Sequence, residues 1–272
     1  MDFTAIIAAF TALGALGLIF GLMLGVAGKK LSVETDPRVD KVRECLGGAN
    51  CGACGLAGCD AFAEAVVKGE IKPEACTPGG AQTAKRIAGI LGVEVEEREP
   101  MVARVICQGT DGIARERYEY DGYKSCRAAA SLAGGPKLCR FACVGLGDCM
   151  NSCVFNAINM VNGVAHIDEK LCKACGACVA ACPRGVIELR PLEARVLVRC
   201  RNSDSGRLAR SSCMKACIAC RRCVKACEYG AVAVENGFAR IDVDKCTRCG
   251  ECAKVCPCGC ITVEGMENNA NV

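Results

Sequence analysis

From Phe3 to Gly28 the chain carries no charged side chain, and its only hydroxyls are Thr4 and Thr11. At about 1.5 Å per residue this run makes a helix of roughly 39 Å, enough to cross a hydrocarbon core of about 30 Å with some tilt. A cleaved signal peptide would open on basic residues and carry a shorter apolar run, whereas this chain opens Met1-Asp2. Lys29 and Lys30 follow at once, which predicts a single-pass inner-membrane anchor with its N-terminus outside and everything after residue 30 in the cytoplasm. Then the pattern shortens. Asp60 to Lys68 puts Phe62, Ala65 and Val66 on one helical face, and a second helix is predicted over Ala81 to Leu91. Glu94 to Pro100 is charged and reads as a linker. Beyond it only brief alternations remain: Val164 to Ile167 and Phe238 to Ile241 read as strands, and Cys107 and Cys200 follow runs that look like strand ends. Cys126 and Cys213 each follow a serine at a predicted helix start. Ala, Gly and Cys dominate the second half, so the chain needs staples other than a large apolar core.

Composition names the staple. Cysteine fills 27 of 272 positions, against one histidine and no tryptophan. The count is odd, and many cysteines stand close together, poor disulfide partners for each other but good joint ligands. This argues against a disulfide scaffold and for a metal-loaded protein in a reducing compartment. A single histidine leaves no Ser-His or Cys-His pairing, and no GxGxxG joins a strand to a helix. No catalytic site is therefore expected on this chain. His166, whose counterpart is Arg240, reads as a surface residue.

Residues 172–183 read C-K-A-C-G-A-C-V-A-A-C-P, and residues 246–257 read C-T-R-C-G-E-C-A-K-V-C-P. In the C-x2-C-x2-C-x3-C-P ruler three cysteines ligate one [4Fe-4S] cluster and the fourth ligates the other cluster of a two-cluster fold. Cys217, Cys220, Cys223 and Cys256 are assigned to one cluster, and Cys227, Cys246, Cys249 and Cys252 to its neighbour. A shift of 74 residues superposes nine cysteines without a gap, Cys126 falling on Cys200 and Cys139 on Cys213, and brings N-G-V-A-H-I-D onto N-G-F-A-R-I-D. The chain is a tandem duplication. One position breaks, because Leu146 stands where the second copy has Cys220. Cys139 is the expected replacement, giving Cys139, Cys143, Cys149 and Cys182, with Cys153, Cys172, Cys175 and Cys178 for the partner. If Cys139 points away, a three-iron cluster is the alternative.

Upstream, Cys51, Cys54, Cys59 and Cys76 form a fifth set, three in a glycine-bearing loop and one delivered by the far end of a helix. Four cysteines without histidine suit zinc or a cubane, and this arrangement fits the cubane better. The expected complement is five [4Fe-4S] clusters, and six if Cys107, Cys126, Cys200 and Cys213 meet; otherwise these are spare thiols. Cys45 reads as a spare buried thiol, and Cys258 and Cys260 as incidental or as redox liabilities. Each thiolate-held cubane carries about −2, so five turn the formal charge of +4 into about −6. With no aromatic-interleaved basic tract, nucleic acid is not an expected partner.

The order of a glycine-bearing anchor, A-N-C-G-A-C-G-L-A-G-C with distant Cys76, then ferredoxin modules resembles the B-type subunit of Rnf complexes over nearly the whole chain. G-P-K-L-C (135–139), G-L-G-D-C (145–149) and the double ferredoxin block resemble the family's longer form, found in anaerobes. The resemblance implies a component that takes electrons from reduced ferredoxin and relays them within an ion-translocating ferredoxin:NAD+ oxidoreductase. The alternative is a wiring component of another anaerobic membrane hydrogenase or dehydrogenase. The C-P-C-G-C tail departs from the family's usual pattern.

The expected fold is α+β: a transmembrane helix (1–28), a small helical four-cysteine domain (29–95), a connector (96–138), a first bacterial-ferredoxin-like module (139–190), a connector (191–212), a second module (213–265) and a tail (266–272). Gly17, Gly21 and Gly25 form a small-residue stripe suited to close packing on a partner membrane helix. Lys215, Arg221, Arg222 and Lys225, with Arg248 and Lys254, place positive charge around the second module, which reads either as a docking surface for an acidic ferredoxin or as an offset to the clusters' own negative charge.

Overall fold

A computed structural model of the chain describes residues 3–30, 36–96 and 99–264; the expected tail lies outside them. Helix α1 (Phe3–Lys30) runs slightly past the expected span and ends on Lys29 and Lys30, a favourable place for cations. From Phe10 it is long and apolar enough to cross a membrane, with its side chains largely exposed.

Three helices pack into the next unit: α2 (Pro37–Cys45), α3 (Cys59–Val67) and α4 (Gly80–Leu91). The sequence pattern does not show α2, which is short and mostly charged. Its start is set by Asp36, which caps the Arg38 amide at 2.9 Å, and by Pro37 in the first turn. Val42, Phe62 and Ile87, one from each helix, are sealed from solvent and form the centre of this small core.

The rest is built twice. In the first copy β2 (Ile158–Val161) and β3 (Val164–Ile167) form a hairpin around Asn162-Gly163; in the second, β6 (Val232–Glu235) and β7 (Phe238–Ile241) turn at Asn236-Gly237. All four turn residues have positive φ, the two-residue geometry that suits the twist of a hairpin. His166 faces solvent on β3 opposite Asn159. Short helices precede the closing strand of each copy: α6 (Asp148–Asn151) and α7 (Ala177–Ala181), then α9 (Arg222–Lys225) and α10 (Glu251–Lys254).

Each copy also recruits a strand from upstream. β1 (Met101–Val105) pairs antiparallel with β4 (Ile187–Pro191), and β5 (Val196–Val198) with β8 (Ile261–Val263). Val105 sits opposite Ile187 and Val198 opposite Ile261, so Val105 and Val198 are equivalent, 93 residues apart. Since the rest of the copies stand 74 apart, the first carries 19 extra residues before its module, and the repeat is not gapless as the sequence suggests. The structural counterpart of Cys200 is therefore Cys107. The extra residues hold α5 (Cys126–Ser131), which has no equivalent; α8 (Gly206–Ser212) occupies the second copy and ends, rather than begins, at Cys213.

Buried Arg104 on β1 binds the carboxylates of Glu169 and Glu264, and Glu169 also meets Arg195 at 3.2 Å. Burial works to raise Glu169, but the Arg104 hydrogen bond and the Arg104 and Arg195 charges outweigh it and hold the carboxyl below its ordinary value. One guanidinium thus ties the two copies together.

Candidate metal centres

The second module gathers its cysteines in the sets read from the rulers. Cys217, Cys220, Cys223 and Cys256 line one cleft, joined there by Cys258 and Cys260. Cys227, Cys246, Cys249 and Cys252 line another. Burial, then repulsion from Cys246, Cys223 and Cys227, pushes the Cys252 thiol up to about 11.

In the first module Cys153, Cys172, Cys175 and Cys178 come together. Burial and then Cys172, Cys175 and Cys153 push Cys178 up to about 11. Amides of Ala157 and Ala103 point at the Cys153 and Cys172 sulfurs, at 3.4 and 3.5 Å. The first module's other cleft is lined by Cys126, Cys143, Cys149 and Cys182. Cys139 does not line it, and this departs from the sequence expectation. Burial, followed by Cys143, Cys126 and Cys182, pushes Cys149 up to about 12.

The reason lies at Asp148. Its carboxylate accepts from Ser125 Oγ at 3.0 Å and from the Arg127 amide at 3.1 Å. Ser125 is the N-cap of α5, so this clasp lays the start of α5 beside α6 and brings Cys126 next to Cys149. Leu146 is thereby compensated from a segment outside the ruler. The sequence holds one signal of this, a serine cap directly before a cysteine. Cys139 instead accepts from Asn202 Nδ2 at 3.3 Å, on the side of the second module. The set Cys107, Cys126, Cys200 and Cys213 is accordingly not brought together as a group, since Cys126 lies elsewhere.

In the helical unit burial, and then Cys59, Cys51 and Cys54, raise the Cys76 thiol, so these four also converge. Asn50 Oδ1 accepts from the Cys59 amide at 2.8 Å and pins the loop that carries Cys51 and Cys54. Cys45 packs against the apolar core of this unit. Cys260, incidental on the sequence reading, lies 3.5 Å from Cys256 Sγ. Its thiol hydrogen bond is the main reason that Cys256 falls to about 5 and that Cys217 is lowered.

The donor sets fit iron–sulfur clusters. Among the described residues no three His, Cys, Asp or Glu side chains converge closely enough to hold a single metal ion. A lone zinc draws its ligands to about 2.3 Å, whereas a cubane spreads four sulfurs over its corners. Cysteine sulfurs grouped around a cleft, several with amides aimed at them, match the larger object.

These sites in these folds define a multi-site ferredoxin-type iron–sulfur protein. Three family models match the chain: an Fe-S cluster model at residues 46–78, a 4Fe-4S binding domain at 165–188 and a 4Fe-4S dicluster domain at 216–260. The B-type subunit of the Na(+)-translocating ferredoxin:NAD(+) oxidoreductase complex of Acetobacterium woodii is 49% identical over 235 residues, covering 86% of this chain and 71% of that protein. The proton-translocating counterpart of Clostridium ljungdahlii is 41% identical over 233 residues, covering 85% and 82%. The corresponding component of the ion-translocating oxidoreductase complex of Methanosarcina acetivorans is 39% identical over 244 residues, covering 89% and 92%. The chain belongs to the family of B-type subunits of Rnf complexes.

Proposed function

We propose that this chain relays electrons from reduced ferredoxin to membrane partners of an ion-translocating ferredoxin:NAD+ oxidoreductase, through five [4Fe-4S] clusters. The proposed ligands are Cys51, Cys54, Cys59 and Cys76; Cys153, Cys172, Cys175 and Cys178; Cys126, Cys143, Cys149 and Cys182; Cys217, Cys220, Cys223 and Cys256; and Cys227, Cys246, Cys249 and Cys252. Such clusters supply one-electron exchange at potentials set by burial and by hydrogen bonds to sulfur. The observation that carries the reading is the contiguity of these sets. Cys175 is raised by burial and then by Cys51, a cysteine of the helical unit, as well as by Cys153 and Cys172. Cys149 and Cys143 join one set of the first module to Cys182, which belongs to the ruler of the other. The chain's own residues hold the sulfurs, exclude water from the inner sets and leave the second module's edge open: Cys220 and Cys249 are exposed.

Ferredoxin docks at that open edge. Arg221, Arg222 and Lys225 are exposed beside Cys220, and at the matching positions the first module has Gly147, Asp148 and Asn151. Arg248 and Lys254 contribute less, being paired with Glu193 at 2.5 Å and Glu251 at 2.7 Å. The helical unit, next in sequence to α1, faces the exit. The body lies in the cytoplasm, and the Gly17, Gly21 and Gly25 stripe packs on a partner helix. Added methyl groups there would meet nothing within this chain.

The test is charge reversal in the intact complex. Arg221→Glu with Arg222→Glu slows electron uptake from ferredoxin by about tenfold at low ionic strength, and salt narrows the difference. An unchanged rate at low salt removes the docking assignment. Zinc in place of iron in the purified chain removes the relay.

A further inference from the structure

Two hydrogen bonds cross between the modules reciprocally. Gln108 Nε2 donates to the Gly259 carbonyl at 3.1 Å, and the Arg201 guanidinium donates to the Gly185 carbonyl. Gln108 and Arg201 each stand three residues after the equivalent strand ends Val105 and Val198, and Gly185 and Gly259 are 74 residues apart. One position in each copy therefore meets the matching position of the other, the mark of an isologous interface. An internal two-fold relates the modules.

Four cysteines outside the five sets obey the same two-fold, two from each copy. Cys107 and Cys200 lie two residues past the equivalent strand ends, and Cys139 and Cys213 are 74 residues apart. Their surroundings repeat as well. Cys107 Sγ accepts from the Cys143 amide at 3.4 Å, and Cys200 Sγ accepts from the Cys217 amide at 3.2 Å. Cys143 and Cys217 are themselves equivalent, and each belongs to a neighbouring set. Cys139 Sγ accepts from Asn202, a buried amide two residues past Cys200. Cys213 bridges to Ala114, and Gly109 presses so close that a side chain there would stand 3.1 Å from Ala114 Cβ and 3.4 Å from Cys107 Sγ. A second amide, that of Gly109, points at Cys107 Sγ at 3.3 Å. The thiols of Cys139 and Cys213 are raised by burial and then, among other groups, by Cys107; Cys139 likewise acts on Cys213 and on Cys200. Nearby, the buried Lys137 ammonium donates to the Gly109 and Gly163 carbonyls at 2.7 and 2.8 Å, a fixed positive charge beside a nest of sulfurs.

We propose that Cys107, Cys139, Cys200 and Cys213 hold a sixth [4Fe-4S] cluster on the internal two-fold, between the Cys217 set and the Cys143 set. The donors share the chemistry of the other five sites, four cysteines with amides aimed at sulfur: Cys107 and Cys139 lie in one buried cluster, and Cys200 packs against the cluster that holds Cys213. Both neighbouring sets touch this one through a backbone amide of a ligand residue, so it closes the gap between the modules. Each electron received from the second module is passed to the first. This rests on the relay reading above.

The experiment is iron, sulfide and zinc analysis of the full-length chain, purified anaerobically in detergent and separated from its membrane partners, whose own iron would add to the count. Wild type holds about 24 irons and 24 sulfides with no zinc. Cys107→Ala, Cys213→Ala and the double variant each hold about four fewer, because both residues serve one cluster, while Cys45→Ala loses none. About 20 irons in wild type overturns the sixth site, and that count needs no variant to fold. So does a full count in Cys213→Ala, or one zinc that disappears with Cys213. Cys217→Ala separates the two readings: if it too leaves iron unchanged, the relay falls with the sixth site.

Discussion

The two ferredoxin modules share a hairpin, a ruler and a closing strand, yet they treat solvent differently. In the first, the cleft around Cys143 and Cys149 is completed by Cys126 from an added helix, and all three are buried. In the second, the matching position is Cys220 on the loop itself, and it is exposed. Where the first module turns with Gly147 at φ 84°, the second uses Arg221 at φ 60°, a conformation that costs a side chain about 1 kcal/mol or more. The second module accepts that strain and gains a cation at its rim. Duplication supplied two equal units; an inserted helix sealed one, and basic residues opened the other to a partner.

The comparison breaks most sharply at Cys126. Cys126→Ala removes about four irons. Adding Leu146→Cys, which restores the second module's arrangement, brings them back. Iron and sulfide analysis decides, and a Cys126→Ala chain that keeps its full iron while Cys139→Ala empties the Cys143 cleft would return the fourth ligand to Cys139.

Arg104 holds the copies together, so Arg104→Met leaves Glu264 without its ion-pair partner and Glu169 with Arg195 alone. It destabilises the folded body by about 2–3 kcal/mol, below the cost of a wholly uncompensated buried charge, read as a lower midpoint in denaturant. If the midpoint holds, the Glu169 and Glu264 contacts are not what joins the modules.

Exposure sharpens the comparison further. Under an iron chelator or brief air, the clusters at Cys220 and Cys249 are lost several-fold faster than those at Cys149 and Cys178, because reagents reach exposed sulfur first. The variants Cys220→Ala and Cys178→Ala identify which phase belongs to which module. Equal loss from both modules would remove the contrast.

The smallest effect is at Cys260, whose counterpart in the first copy is the buried Val186. Its thiol hydrogen bond favours negative charge on Cys217 and Cys256. Cys260→Val removes about 1 kcal/mol of that support, a fall of about 40 mV in the potential of the Cys217 site. Redox titration followed by electron paramagnetic resonance measures it, and a potential that stays put would make Cys260 a spacer.

Much of this protein is local, and the chain alone determined it. The apolar run made α1, because backbone groups within a span that long and uncharged must satisfy one another in a helix. The rulers grouped sixteen cysteines, besides Cys51, Cys54, Cys59 and Cys76, into sets that the fold gathers with one exchange, Cys126 for Cys139, since a cubane dictates the spacing of cysteines in a single loop. Asn-Gly at both hairpins reports a turn that only residues tolerant of positive φ can make. What needed tertiary structure was every contact that joins distant segments. Cys126 and Cys139 trade places because Asp148 clasps Ser125, a contact 23 residues long in sequence. Cys107 matches Cys200, not Cys126, because β1 and β5 take equivalent places against β4 and β8, strands that lie far along the chain from them. The four cysteines on the two-fold come from four segments, and no spacing rule relates residues whose meeting depends on how two copies of one fold pack.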